Sequence, residues 1–120
     1  MLINLTNHPS DKWTPQQITK AMQQYGTIVD IPFPIINPAD DEQQISALAD
    51  HYLHQVLAFS DKEPITVHIM GEMTFTYALI NRLHKHGIPC IASTTQRIVK
   101  ELSNGERITQ FNFVRFRHYE

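Results

Sequence analysis

Three short stretches of this chain hold side chains of the kinds that bind and move phosphate. They are Asn7, His8 and Ser10 near the start, Gly71, Glu72, Met73 and Thr74 in the middle, and Thr94, Thr95 and Arg97 further on. A cationic arginine, several hydroxyls and free amides at the start of a helix suit a phosphate or phosphodiester. His8 is the only histidine among them, and imidazole titrates near neutrality. Each residue also has a plainer use. Thr74 and Thr94 can cap helices, Glu72 is an acid favoured by a helix dipole, and Arg97 can pair across a hairpin. What favours a site is convergence, and convergence depends on the elements that carry these residues.

Those elements read as a βαβ unit from Ile65 to Arg97. Ile65–Met70 is a short β-branched, apolar run broken at Gly71. Thr74–His86 has Phe75, Ala78, Leu79 and Leu83 at helical spacing, and Gly87 sits where a terminating glycine belongs. Ile88–Ala92 is another strand. Parallel strands joined by one right-handed crossover place Gly71–Thr74 and Ser93–Arg97 past the same sheet edge, where ligands bind in open α/β sheets. Upstream, Leu2–Leu5 is a first strand that stops at Thr6–Ser10. Thr14-Pro15-Gln16-Gln17 opens a helix, with Thr14 as cap and Gln17 completing a capping box. Thr27–Ile31 is a second strand, stopped by Pro32-Phe33-Pro34, where Phe33 offers an apolar wall or a surface for a base to stack on. Asn37-Pro38 signals another helix, striped by Ile45, Leu48, Ala49, Tyr52, Leu53 and Val56. After Arg97 the period changes, and Asn104-Gly105 is a hairpin signal. A two-residue turn there sets Val99 against Gln110, Ile98 against Phe111 and Arg97 against Asn112. The expected fold is a single α/β domain over residues 1–120. It is a three-layer, Rossmann-like arrangement of four parallel strands plus a C-terminal antiparallel β-hairpin.

Composition narrows the function. A chain of 120 residues, 42% hydrophobic and 18% charged, suits an ordinary globular domain. A net charge of -2 argues against a duplex nucleic-acid binder while permitting a local basic pocket. One cysteine, Cys90, excludes an intrachain disulfide and a thiolate zinc cage. The apolar runs are too short for a membrane helix and the N-terminus lacks a signal-peptide layout, so the expected location is the cytoplasm. His68 lies inside a strand and reads as a satisfied core histidine, and His51 and His54 as surface. No dinucleotide fingerprint, Walker motif or Gly-x-Ser-x-Gly is present, and no cofactor or metal is expected.

The stretches LTNHP, GEMT and STTQR, with the proline-rich second turn and the small, motif-poor α/β layout, resemble CRISPR-associated ancillary proteins related to CARF domains. The resemblance covers most of the chain in layout and is specific only in those stretches. It implies a homodimer that binds a cyclic nucleotide across its two-fold axis. Some such proteins are ring nucleases that cut cyclic oligoadenylate, and others sequester it. The expected function is therefore a metal-independent phosphodiesterase acting on cyclic oligoadenylate, using the substrate's 2′-hydroxyl as nucleophile. Arg97 and the amides of Gly71 to Met73 would hold the phosphate. His8 would be the acid or base, Glu72 an alternative base or ribose ligand, and Thr94 and Thr95 would bind phosphate or sugar oxygens. The alternative is a sensor or sponge with the same pocket and no turnover. A third reading is an interaction protein that pairs through its hairpin edge.

Overall fold

A computed structural model describes residues 1–120. A five-stranded sheet runs in the order β2-β1-β3-β4-β5, with β1 at Leu2–Thr6, β2 at Ile28–Asp30, β3 at Thr66–Met70, β4 at Cys90–Glu101 and β5 at Arg107–His118. β1 pairs in parallel with β2 and β3, and β3 in parallel with β4, whereas β5 runs antiparallel to β4. The Ile65–Met70 run is thus an interior strand, paired in parallel on both sides. Three helices accompany the sheet: α1 at Pro15–Tyr25, α2 at Glu42–Ser60 and α3 at Met73–Lys85. No helix is long and apolar enough to cross a membrane.

Alternation along the strands divides the apolar residues between two clusters. Ile3, Leu5, Val67 and Ile69 pack with Ala49, Leu53 and Val56 of α2 and Phe75, Leu79 and Leu83 of α3. Leu2 and Ile91 turn the other way and pack with Trp13, Ala21 of α1, Phe113 and Phe116. Because side chains alternate with period two, Asn4 and Thr6 share a face with Leu2. That is the face on which α1 lies.

Helix starts differ from the expected ones where a side chain finds a better partner. Thr14 does cap α1, its hydroxyl accepting from the Gln17 amide at 3.3 Å, but the Gln17 side chain reaches away to Ser93. α2 begins later than Asn37-Pro38 suggests. Asp41 and Gln44 form a reciprocal capping box, each side chain accepting from the other's backbone amide at 2.9 Å.

The largest departure concerns Ser93–Arg97. This stretch is no turn: it lies within the twelve-residue β4. Polar Thr and Gln are compatible with a strand whose outer half is a two-stranded ribbon with both faces wet. The hairpin register also shifts by one residue, with Arg97 opposite Phe111, Ile98 opposite Gln110 and Val99 opposite Thr109. The cause is a three-residue loop, Ser103–Gly105, closed by the Leu102 amide donating to the Glu106 carbonyl at 2.7 Å. Gly105 takes φ 85° there, a value that favours glycine. A bulge lies further along: Thr94 faces Arg115 and Thr95 faces Phe113, leaving Val114 unopposed. It lets Phe113 and Phe116, three apart, both turn inward, their rings 4.9 Å between centroids.

Candidate functional site

A polar row crosses the middle of the sheet on the α1 face. Asp30, Asn4 and His68 are neighbours in register on β2, β1 and β3. Asn4 is fully buried and His68 is 2% exposed. The Asn4 amide donates to Asp30 Oδ1 at 2.8 Å and to the His8 carbonyl at 2.9 Å. Both partners can only accept, so the orientation of the amide is determined and its oxygen faces the other way. That oxygen lies 2.8 Å from His68 Nδ1 and 3.0 Å from the Thr6 hydroxyl. His68 must therefore carry its proton on Nδ1. Its Nε2 is left as an acceptor, 2.7 Å from Ser93 Oγ, which donates to it. The Ser93 oxygen in turn accepts from the Gln17 amide at 3.1 Å.

Electrostatics agree with this proton arrangement. Burial, and secondarily the charge of His8, pull the His68 imidazole down to about 4, so it is neutral at physiological pH. Burial pushes the Asp30 carboxyl up, but it is outweighed by hydrogen bonds from the Ser10 hydroxyl, the Asn4 amide and the Ser10 backbone, so it titrates below the usual carboxylate value. An unpaired buried polar group costs roughly 1–3 kcal/mol, and this row leaves none of its members unpaired.

The row opens into a cavity of about 400 Å³, at the small end of ligand sites. It lies at the reversal in strand order, because α1 returns the chain to one side of β1 and α2 carries it across to the other. Asn7, His8, Gln17, His68, Ser93 and Thr95 supply its polar wall, and Trp13, Met70, Phe111 and Phe113 its apolar one. Trp13 anchors the adjoining loop by donating from its indole to the His8 carbonyl at 2.9 Å. The His8 backbone is thus fixed while its imidazole is exposed at the mouth.

Of the residues expected from sequence, Asn7, His8 and Thr95 gather at this cavity. Arg97 stands beside it, sharing a sheet face with the lining residue Phe111. The others lie elsewhere. Ser10 is engaged with Asp30, its hydroxyl 2.6 Å from Oδ2. The Thr94 hydroxyl accepts from the Arg115 amide at 3.2 Å beside the bulge. Phe33 is buried edge-on to Phe75, with centroids 5.3 Å apart, and lines a separate cleft of about 220 Å³ with Asn7 and Asp30. Gly71 and Met73 border another cavity, near Tyr77 and Tyr119. Glu72 caps α3 itself: its carboxylate accepts from the Thr74 and Phe75 amides at 2.9 and 2.8 Å and from the Thr74 hydroxyl. The Phe75 amide, then the Thr74 hydroxyl and amide, hold that carboxyl below its usual value. The positive end of α3 is thereby already occupied by the protein's own anion.

Sequence reasoning set Ser93 at the sheet edge without a role, missed Gln17, Asn4 and Asp30 as links in its hydrogen-bonded chain, and read His68 as core alone. His68 is indeed buried and satisfied, yet one edge of its ring faces the cavity. The available signal was a pair of polar residues interrupting apolar strands, Asn4 in LINLT and His68 in ITVHIM. Parallel pairing of those strands brings the two together. No three His, Cys, Asp or Glu side chains converge in a way that could hold a metal ion.

A search of curated proteins finds no match. Residues 1–117 match the model of the family described as Uncharacterized protein MJ1673 family, and the chain belongs to that family.

Proposed function

We propose that the cavity beside His68 binds a nucleotide phosphodiester, and that the protein is a metal-independent ring nuclease acting on cyclic oligoadenylate in CRISPR defence. The observation that carries this reading is the presence of two histidines at one cavity, His68 buried and neutral and His8 exposed at the mouth. Neutral His68, whose Nε2 accepts from the Ser93 hydroxyl at the cavity wall, suits a general base, and exposed His8 suits the acid that protonates the leaving oxygen. Arg97 and Phe111, side by side at the rim, suit a phosphate and a stacked base. Asn7, Gln17 and Thr95 supply donors for sugar and phosphate oxygens. Incubation with labelled cyclic oligoadenylates tests this directly: linear products without added metal are expected, and intact rings would overturn it.

One observation favours the second reading, a sponge or sensor without turnover. His68 Nε2 is already met by Ser93, so a substrate hydroxyl would have to displace that contact to be deprotonated. Tight binding with no product would establish it.

We read the architecture as a three-layer, Rossmann-like sandwich in a cytoplasmic protein. A cyclic oligonucleotide exceeds one cavity of about 400 Å³, so two copies related by a two-fold axis would hold it between them.

A further inference from the structure

We infer that Ser93 is a nucleophile, activated by His68 and positioned through Asn4. The inference rests on the phosphodiester reading for its substrate, though not for the reactivity of the hydroxyl. Three features point to it, and none requires a ribose 2′-hydroxyl. Ser93 Oγ lies 2.7 Å from the unprotonated Nε2 of a histidine whose other nitrogen is locked as a donor to Asn4 at 2.8 Å. This is the nucleophile–base–orienter relation that covalent hydrolysis needs. Ser93 is half-buried and lines the cavity, so the hydroxyl is reachable.

The third feature concerns the charge that develops on attack. The Ser93 amide lies 3.3 Å from the Met70 thioether sulfur, a weak acceptor on a flexible side chain that also lines the cavity. A substrate oxygen is a far better acceptor and displaces it. The Gln17 amide, already at Ser93 Oγ, is a second donor beside the reacting atom. Together they form a site for a developing oxyanion.

The step balances without a metal or redox partner. Ser93 Oγ bonds to phosphorus and its proton passes to His68 Nε2. The bond from phosphorus to the ribose 5′ oxygen breaks, and that oxygen takes a proton from His8. Water then attacks the phosphoseryl group and gives a proton to His8, and Ser93 leaves with the proton held on His68. Because the ribose 2′-hydroxyl takes no part, a deoxyribose linkage is also a substrate.

The test uses the full chain with a fluorophosphonate probe, followed by peptide mapping, and in parallel ribose and all-deoxyribose cyclic oligoadenylates. Stoichiometric labelling of Ser93 is expected, abolished in Ser93→Ala and slowed at least ~100-fold in His68→Gln. Should His68→Gln fail to fold, the wild-type labelling rate against pH serves instead. It is expected to rise through a single acid limb near pH 4 and then stay flat to pH 8. An unlabelled Ser93, or a rate that climbs with hydroxide throughout, overturns the inference. If ribose rings are cut and deoxyribose rings are not, the inference fails while the phosphodiesterase reading stands. If Ser93 labels and neither ring is cut, the nucleophile stands and that reading fails.

Discussion

Arg97 and Phe111 face one another across the β4–β5 ladder, and Phe111, though 65% exposed, lines the cavity. A guanidinium and an aromatic face are thereby presented together at its rim. Replacing Arg97 by alanine is expected to weaken nucleotide binding by about 1.5–3 kcal/mol, or roughly 10–150-fold. Arg97→Lys should recover part of that, keeping the charge but losing the bidentate fork. Stability should change by less than ~0.5 kcal/mol, because the residue is exposed. Calorimetric titration beside thermal melting checks both halves. An early-melting Arg97→Ala protein with normal affinity would assign the residue to the hairpin alone.

His68 gives the fold a definite pH dependence. Its imidazole is neutral in the folded state down to about pH 4, whereas in the unfolded chain it takes up a proton near pH 6.5. Between those values the unfolded state binds more protons, so stability falls as pH falls. The contribution is on the order of 3 kcal/mol across that window and absent above pH 7. Urea melts at pH 7.0, 5.5 and 4.5 should show the loss, and His68→Gln should flatten it. Equal slopes in both proteins would place the proton uptake on other groups.

Gly71 is required by its neighbour rather than by its backbone angle. A Cβ there would overlap the Phe33 ring, which is itself buried against Phe75. Gly71→Ala should cost about 1–3 kcal/mol through this overpacking. Pairing it with Phe33→Leu should cost less than the sum of the two single changes, since both relieve or create the same contact. Additive melting shifts would show that the two positions do not interact.

Assembly can be tested by mass alone. Light scattering at micromolar concentration is expected to give twice the 13.9 kDa chain mass when a cyclic oligoadenylate is present. A single-chain mass with and without ligand would remove the two-fold arrangement, and with it the explanation for a ring-shaped substrate.

Much of the scaffold was legible from local pattern. Ile65–Met70 reads as a strand because it is a short β-branched, apolar run broken at Gly71, and the Asn104-Gly105 hairpin is located by its turn chemistry. The Ser93–Arg97 stretch was misread because its polar composition suits a turn as well as a solvated ribbon. The choice between them lay in Phe111–Phe116, on the opposing strand. The hairpin register was missed by one because Asn-Gly closes a loop of three residues here as well as of two. The central site was hidden for a different reason. Asn4 and His68 are 64 positions apart, and either alone is an ordinary buried polar residue. Only strand register, which no short window contains, shows that one orients the other. Glu72 illustrates the reverse: its type and position at a helix start fit catalysis and capping equally, and the Thr74 and Phe75 amides decide for capping.

The unopposed Val114 has a consequence for how this strand can vary. Residues before and after it keep strict alternation, but in two different phases, and Val114 is where the count is reset. Removing it would join Phe113 directly to Arg115 and leave every cross-strand partner unchanged, so both inward phenylalanines would keep their face. What would be lost is the local bend and extra twist that a bulge gives its strand. The outer ribbon, carrying Phe111 and Arg97, would then point in another direction. Val114 is thus a spacer that aims one arm of the molecule at its own cavity, and a single-residue deletion there separates the geometry of binding from the integrity of the core.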